Sequence, residues 1–272
     1  MTQQLIKNRN PSSWVERLAR FGYAAKGVVY GIVGLLAAQA AFGAGGKTTD
    51  TQGALQTIVT QPFGKVLLGL VAIGLFGYVL WKFVQAVKDP ENKGTDAKGI
   101  LQRIGYAISG IIYAGLGLSA VKIILGSGGG NSNSTEDWTA RLLSQPFGQW
   151  LVGTIGAFII GNGFYQFYKA FTTKLRKELN LHDLSQTEQE WVKAICRFGI
   201  AARGVVFCVI GFFLIQAARQ SDASQAQGLG EALQTLAQQP YGAWILGIVA
   251  LGLVAYGIYM VMQARYRQIN PR

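Results

Sequence analysis

Acid is scarce in this chain, and its placement matters more than its amount. Only 13 of 272 residues are Asp or Glu, and none of them falls inside a long apolar run. Carboxylates within a membrane are the usual relays of pumps and of proton- or sodium-coupled transporters, so their absence argues against such coupling. Histidine occurs once, as His182, in a charged stretch without a metal-ligand companion, which leaves no His-based metal centre or nucleophile–base pair to assemble. The two cysteines, Cys196 and Cys208, stand twelve residues apart on one predicted helix. That separation is a rise of about 18 Å, so the two cannot pair and no disulfide framework exists. Charge is sparse altogether: 14% of residues carry one, against roughly 25% in an average soluble domain.

What replaces charge is apolar surface. Half of the residues are hydrophobic, and they gather into six runs, about Phe21–Phe42, Phe63–Val87, Ile104–Leu125, Phe147–Phe171, Phe198–Ala218 and Tyr241–Ala264. Each is near or above the roughly 20 residues needed to cross a hydrocarbon core. Most of the 36 glycines fall within these runs rather than in polar linkers, which suits membrane helices better than disorder. The first run, with a basic flank and Ala38-Gln39-Ala40, has the outline of a secretory signal. Two later copies of the same run, deep inside the chain, argue for a span instead.

The repeat is the organising feature. Arg20-Phe21-Gly22-Tyr23-Ala24-Ala25-Lys26-Gly27-Val28-Val29-Tyr30 returns from Arg103 to Tyr113 and again from Arg197 to Phe207. The second helix of each unit opens with Gln61-Pro62-Phe63-Gly64, Gln145-Pro146-Phe147-Gly148 or Gln239-Pro240-Tyr241-Gly242. A helical hairpin copied three times follows, with an N-terminal segment at 1–19, hairpins at 20–87, 103–171 and 197–265, and a tail at 266–272. Pro11-Ser12-Ser13 reads as the cap of a short helix that includes Trp14. Between the two helices of each hairpin lies a short amphipathic segment, at 51–59, 137–143 and 231–237, expected to lie flat on the membrane surface. The three prolines suit the first turn of the helix that follows.

Twenty of the 25 Lys and Arg residues lie on one side if both termini and the loops after the second and fourth helices share it. Lys47, Lys65, Lys122, Arg141 and Arg219 lie on the other. The bias puts the N- and C-termini in the cytoplasm, and it accounts for the net charge of +12 without nucleic acid as a partner.

Within the odd helices, offsets +4, +7, +11 and +14 from the repeat arginine carry only small residues: Ala24, Gly27, Gly31 and Gly34, then Ala107, Gly110, Ala114 and Gly117, then Ala201, Gly204, Cys208 and Gly211. Such a seam lets backbones approach closely, which is what associates helices in lipid. The even helices carry Gly69, Gly153 and Gly247, followed by Ala72, Gly156 and Ala250. Polar side chains nearer the membrane centre are Tyr30, Tyr113, Tyr78, Asn162 and Tyr256, for which hydrogen bonding between helices is the first expectation and a pore or ligand contact the second. Lys26, Lys82, Lys122 and Arg203 enter helices near their ends, where long stems can snorkel to the interface. Arg20, Arg103 and Arg197 would form a cytoplasmic ring able to hold an anion or lipid phosphate if the hairpins packed around a pseudo-threefold axis. Catalytic and metal-binding constellations are absent from the pattern, and the run Gly126-Ser127-Gly128-Gly129-Gly130-Asn131 lacks the Lys-Ser/Thr of a phosphate loop.

The repeated Arg-Phe-Gly-Tyr-Ala-Ala-Lys-Gly opening together with Gln-Pro-Phe-Gly resembles the bacterial membrane family called domain of unknown function 1206, over residues 14 to 267. The resemblance implies three two-helix repeats and a membrane location, with no assigned activity. The second repeat departs most, with Ser109 where the others have Lys26 and Arg203. The expectation is therefore an all-α integral protein of the bacterial cytoplasmic membrane, with six transmembrane helices as three hairpins in a pseudo-threefold arrangement. It is expected to be no enzyme and to use no cofactor or metal. As an accessory or structural protein it would pack against membrane lipids, other membrane proteins or itself. The alternative is a small permease or channel along the repeat axis.

Overall fold

A computed structural model describes residues 12–43, 46–90, 93–127, 134–172 and 185–267, and among them it is entirely helical. The order is α1 (Ser12–Ala41), α2 (Thr51–Val59), α3 (Gly64–Lys88), α4 (Ala97–Ile124), α5 (Ser134–Leu143), α6 (Gly148–Phe171), α7 (Gln186–Gln220), a 3-10 turn (Ala223–Gln225), α8 (Leu229–Ala237) and α9 (Gly242–Tyr266). Helices α1, α3, α4, α7 and α9 are each long and apolar enough to cross a membrane. The chain is thus a multi-pass membrane protein. Its exposed large side chains, such as Leu70, Ile73, Ile111, Ile112 and Leu251, are what a lipid-facing surface requires.

Ser12 and Trp14 do not begin a separate short helix. They open α1, which runs unbroken into the first span for 30 residues, because no Gly or Pro intervenes between Trp14 and Phe21 to stop it. His182 and most of the run from Gly126 to Asn131 lie outside the described residues.

Each even helix packs against the odd helix of the next repeat: α3 on α4, α6 on α7, and α9 back on α1. These contacts use the small-residue seams. On the α1–α9 pair a Cβ added at Gly27 would lie 2.8 Å from the Gly257 carbonyl oxygen, and one at Gly34 would lie 2.6 Å from the Val254 nitrogen. On the α6–α7 pair Gly211 and Gly204 press in the same way on the carbonyl oxygens of Gly156 and Gly163. The α3–α4 seam is looser, since Gly117 and Gly110 receive the rings of Phe76 and Phe83 rather than backbone. Of the even-helix glycines, Gly156 and the counterpart Ala250 sit in these seams. Gly69 has open space around it.

Within hairpins the packing is uneven. Helices α1 and α3 pack, as do α7 and α9, but α4 and α6 of the second repeat share no comparable interface. Gly22 lies against the backbone of Tyr78, and Gly199 against that of Tyr256. Their counterpart Gly105 has nothing within 4 Å. One turn deeper the cause is visible. Ala25 seats its methyl on Gly74, and Ala202 seats its methyl on Gly252. The same two positions in the second repeat are Ile108 and Phe158, 42% and 44% exposed. An Ala–Gly pair permits close helix approach; an Ile–Phe pair forbids it by volume alone.

The amphipathic segments do not lie flat on a lipid surface. Helix α2 packs on α1, α3 and α4, and α8 packs on α7 and α9, so that Leu55 and Leu233 are completely buried. Gly230 of α8 approaches Asp50, and Gly228 approaches Thr135. Helices α2 and α8 thus cover one end of the bundle, with Leu55 and Leu233 buried against the long helices. The prolines also sit one step earlier than expected. Helices α3, α6 and α9 start at Gly64, Gly148 and Gly242, each preceded by an aromatic N-cap in the left-handed conformation at φ 59°, 63° and 60°. Pro62, Pro146 and Pro240 therefore fill the turn before the cap, where their fixed φ is pre-set for a turn. The three aromatics, Phe63, Phe147 and Tyr241, are at least 83% exposed, as membrane-interface anchors are.

Candidate functional site

Two residues that sequence alone assigned to the interface are buried inside the bundle. Lys26 is 3% exposed and Lys82 is 7% exposed. A lysine stem can snorkel only along a lipid-facing surface. Position +6 of the repeat faces the other helices, so the stem of Lys26 has no route outward. Lys122, in the last turn of α4, is exposed.

The Lys26 ammonium donates a hydrogen bond to the Tyr78 hydroxyl at 3.1 Å. It also stands 4.7 Å from the centroid of the Tyr78 ring, 4.5 Å from that of Tyr113, and 5.8 Å from those of Tyr30 and Tyr256. Arg203, the same repeat position in α7, is shared by two of these rings. Its guanidinium carbon is 5.5 Å from Tyr30 and 4.8 Å from Tyr256, with Phe207 at 4.4 Å. It donates to Gln166 Oε1 at 3.3 Å, and the Tyr30 hydroxyl is a further hydrogen-bonding neighbour. The third member of the set, Ser109, neighbours the Tyr78 hydroxyl in the same way. Position +6 of all three repeats thus converges on one network, which Tyr113 closes by donating to the Tyr30 hydroxyl at 3.4 Å.

Two more lysines border it. Lys82 lies 5.2 Å from the Tyr78 ring and 4.6 Å from Tyr106, with Gln85 Oε1 accepting its hydrogen bond at 2.7 Å. Lys169 donates to the Tyr259 hydroxyl at 2.9 Å. The charged groups acting on Lys26 are Arg203, Lys82 and Lys169, all positive, and among the described residues no carboxylate pairs with Lys26 or Arg203. Among the described residues the ion pair is elsewhere, between Arg20 and Glu16.

Cation–π contacts are worth about 0.5–2 kcal/mol each. They soften the burial of an ammonium without neutralising it, and an uncompensated buried charge costs several kcal/mol. The unpaired polar atoms point the same way. Among the described residues, Gln166 Nε2 and Arg203 Nε are buried without a hydrogen-bond partner, and both are N–H donors. A site with excess positive charge and excess donors is complementary to an anion.

Of the five polar residues expected near the membrane centre, Tyr30, Tyr78, Tyr113 and Tyr256 meet in this network. Asn162, which stands where the other repeats have Tyr78 and Tyr256, is exposed. The repeat arginines go elsewhere. Arg103 donates to the carbonyls of Ala86 and Val87 at 2.8 and 3.0 Å. Arg20 donates to those of Ala264, Arg265 and Arg267 at 2.8, 2.7 and 3.2 Å. Each closes the C-terminal end of the even helix it packs on, where the macrodipole favours a cation. Their donors are committed to helix ends instead of a shared anion, and Arg197 is exposed. Among the described residues no group of three or more His, Cys, Asp or Glu side chains is placed to hold a metal ion.

The model of the family described as Domain of Unknown Function (DUF1206) matches the chain three times, at residues 21–89, 104–173 and 198–267. The chain belongs to this family. A relative from Bacillus subtilis (strain 168), the uncharacterized protein YxxB, is 40% identical over 257 residues, covering 94% of this chain and 93% of its own length. No solved structure matches. Each DUF1206 match takes in most of one pair of long helices, so the cluster draws on every repeat: Lys26 and Tyr30 from the first, Ser109 and Gln166 from the second, Arg203 and Tyr256 from the third.

Proposed function

We propose that the protein is a non-enzymatic accessory membrane protein that holds an anionic group within a six-span bundle. The observation that carries this reading is the meeting of Lys26 and Arg203 over the Tyr30 and Tyr256 rings with no carboxylate of the described residues paired to them. At 24 residues, or about 36 Å of helix, α6 is long enough to serve as the sixth span. The repeated packing of each even helix on the next odd one supports a pseudo-threefold arrangement. The excess of Lys and Arg in the termini and in the loops after α3 and α6 supports cytoplasmic ends in a bacterial inner membrane. Helices α2 and α8 cover the opposite end of the bundle, which favours holding an anion over passing it, and so favours an accessory protein over a small permease or channel.

Thermal unfolding of the purified protein in a neutral detergent, titrated with inorganic phosphate or sulfate at constant ionic strength, tests the reading. A ligand that binds only the folded state raises the midpoint in proportion to the logarithm of its concentration. The expected result is a saturable rise with the divalent anions that Lys26→Gln abolishes. No rise in the wild type overturns the proposal, and flux of the same anions in liposomes containing only this protein would favour the permease.

A further inference from the structure

Helices α4 and α6 share no interface comparable to those within the other two hairpins, and the difference lies at the level of the basic cluster. Two of the three hairpins are sealed at this level, by Gly22 on Tyr78 and by Gly199 on Tyr256, while Gly105 meets nothing. Gly77 touches Leu18, yet its second-repeat counterpart Gly161 also has open space. The residues on the open side that correspond to the cluster are small and polar. Ser109 is part exposed and Asn162 is exposed, whereas their counterparts Lys26, Tyr78 and Tyr256 are buried. Behind them lies Gln166, 6% exposed, with its Nε2 unpartnered.

Resting on the anion-binding reading, we infer that the occupant is an anionic phospholipid, entering sideways between α4 and α6 with its phosphate on Lys26 and Arg203 and its acyl chains left in the bilayer. The entrance suits a lipid better than a free ion. It opens through a flank bordered by the apolar Ile108 and Phe158, and Lys26 lies six residues, about 9 Å, deeper than Arg20 at the helix-end layer. A hydrated free anion crossing that flank would shed its water against hydrocarbon side chains. A lipid is already there and needs only to draw its headgroup inward toward excess positive charge.

Native mass spectrometry of the full-length protein, reconstituted with phosphatidylglycerol or with phosphatidylcholine and released from detergent, tests the inference. One retained phosphatidylglycerol per chain is expected, with retention of phosphatidylcholine at least tenfold weaker and Lys26→Gln losing the difference. Gly105→Phe and Gly161→Phe, at two glycines with open space around them, fill the entrance without adding a group at a position that contacts the cations in the other repeats. Each is expected to lower phosphatidylglycerol retention at least fivefold while inorganic phosphate still raises the unfolding midpoint. Because both glycines have that space, these variants are expected to elute as monodisperse as the wild type. Equal phosphatidylglycerol retention in both entrance variants overturns the lipid route. Binding of phosphate without retained phosphatidylglycerol overturns the lipid and leaves the anion site standing; binding of neither removes both. A dimer in which a second copy covers α4 and α6, with no lipid retained, also overturns it.

Discussion

Among the described residues Lys26 donates to the hydroxyl of Tyr78, at 3.1 Å, while the charged groups that act on it are all cations. Such an arrangement is costly when empty. Lys26→Met removes the unpaired charge and keeps most of the volume, so in anion-free detergent it is expected to stabilise the fold, by on the order of 1–2 kcal/mol. With phosphate present the wild type should regain the difference and the variant should not. Thermal unfolding midpoints with and without the anion check both signs. A variant that is destabilised under both conditions would mean that the ring contacts alone satisfy the ammonium.

The seams make a paired prediction about glycine. Gly27→Leu drives a side chain into the Gly257 carbonyl and is expected to destabilise by on the order of 1–3 kcal/mol. Gly31→Ala, with nothing within 4 Å of the added methyl, should be neutral. The sharper comparison is Gly22→Ala, which should be disruptive, against Gly105→Ala, which should be silent despite the identical repeat position. Resistance to unfolding in graded dodecyl sulfate separates them.

Much of the fold was legible because it repeats. Three copies of Arg-x-Gly and of Gln-Pro-aromatic-Gly fixed the hairpins, and the heptad of small residues marked the seams that α1 shares with α9 and that α7 shares with α6. What eluded sequence reasoning was direction. Lys26 and Arg203 stand near helix ends by count, and only knowing which face of α1 and α7 meets the other helices turns them inward. A signal was present all the same. Position +6 lies on the same strip as the tyrosines at +10, one turn away, so a cation there shares the tyrosines' burial. The second repeat held another: Ile108 and Phe158, in place of Ala and Gly, announce the parted helices. The arginines misled for a simpler reason, since a threefold set suggests a ring, but Arg20 and Arg103 each had a nearer helix end to close.

Arg20 and Arg103 supply a test of that role. Truncating Arg103 to Ala frees the Ala86 and Val87 carbonyls and is expected to cost about 0.5–1 kcal/mol. Arg20→Ala should cost more, because three carbonyls and Glu16 lose their donor. Lysine should rescue neither fully, since one ammonium cannot span carbonyls that a planar fork bridges. Guanidinium rescue of the Arg103→Ala midpoint would mark the hydrogen bonds, rather than the charge alone, as the cause.

The loop after α3 carries a pH dependence. The Asp89 carboxylate accepts from the backbone N–H groups of Lys93 and Gly94, both at 2.8 Å, and these bonds hold its carboxyl below the ordinary aspartate value of 3.8. A depressed carboxyl stabilises the folded loop above the unfolded value and loses that contribution as pH falls through the folded one. Amide-exchange protection at Lys93 and Gly94, corrected for intrinsic rates, is therefore expected to hold near neutrality and to fall below pH 3.8. Asp89→Asn should show low protection at every pH.

The parted hairpin can be closed by restoring what the other repeats carry. Ile108→Ala with Phe158→Gly recreates the Ala–Gly contact of Ala25 with Gly74, and Asn162→Tyr adds the residue that Gly22 and Gly199 pack against. If volume alone holds α4 and α6 apart, the triple variant should draw them together, since the backbone approach that glycine permits is what the other two hairpins already use. Spin labels at positions 101 and 171, at the same end of the two helices and on exposed residues, report the separation. Cys208→Ala, which matches Ala114 of the second repeat, removes the one partly exposed thiol. A shortening of several ångströms with a narrower distance distribution is expected, and an unchanged distance would place the cause of the gap in the α5 connection rather than in these side chains.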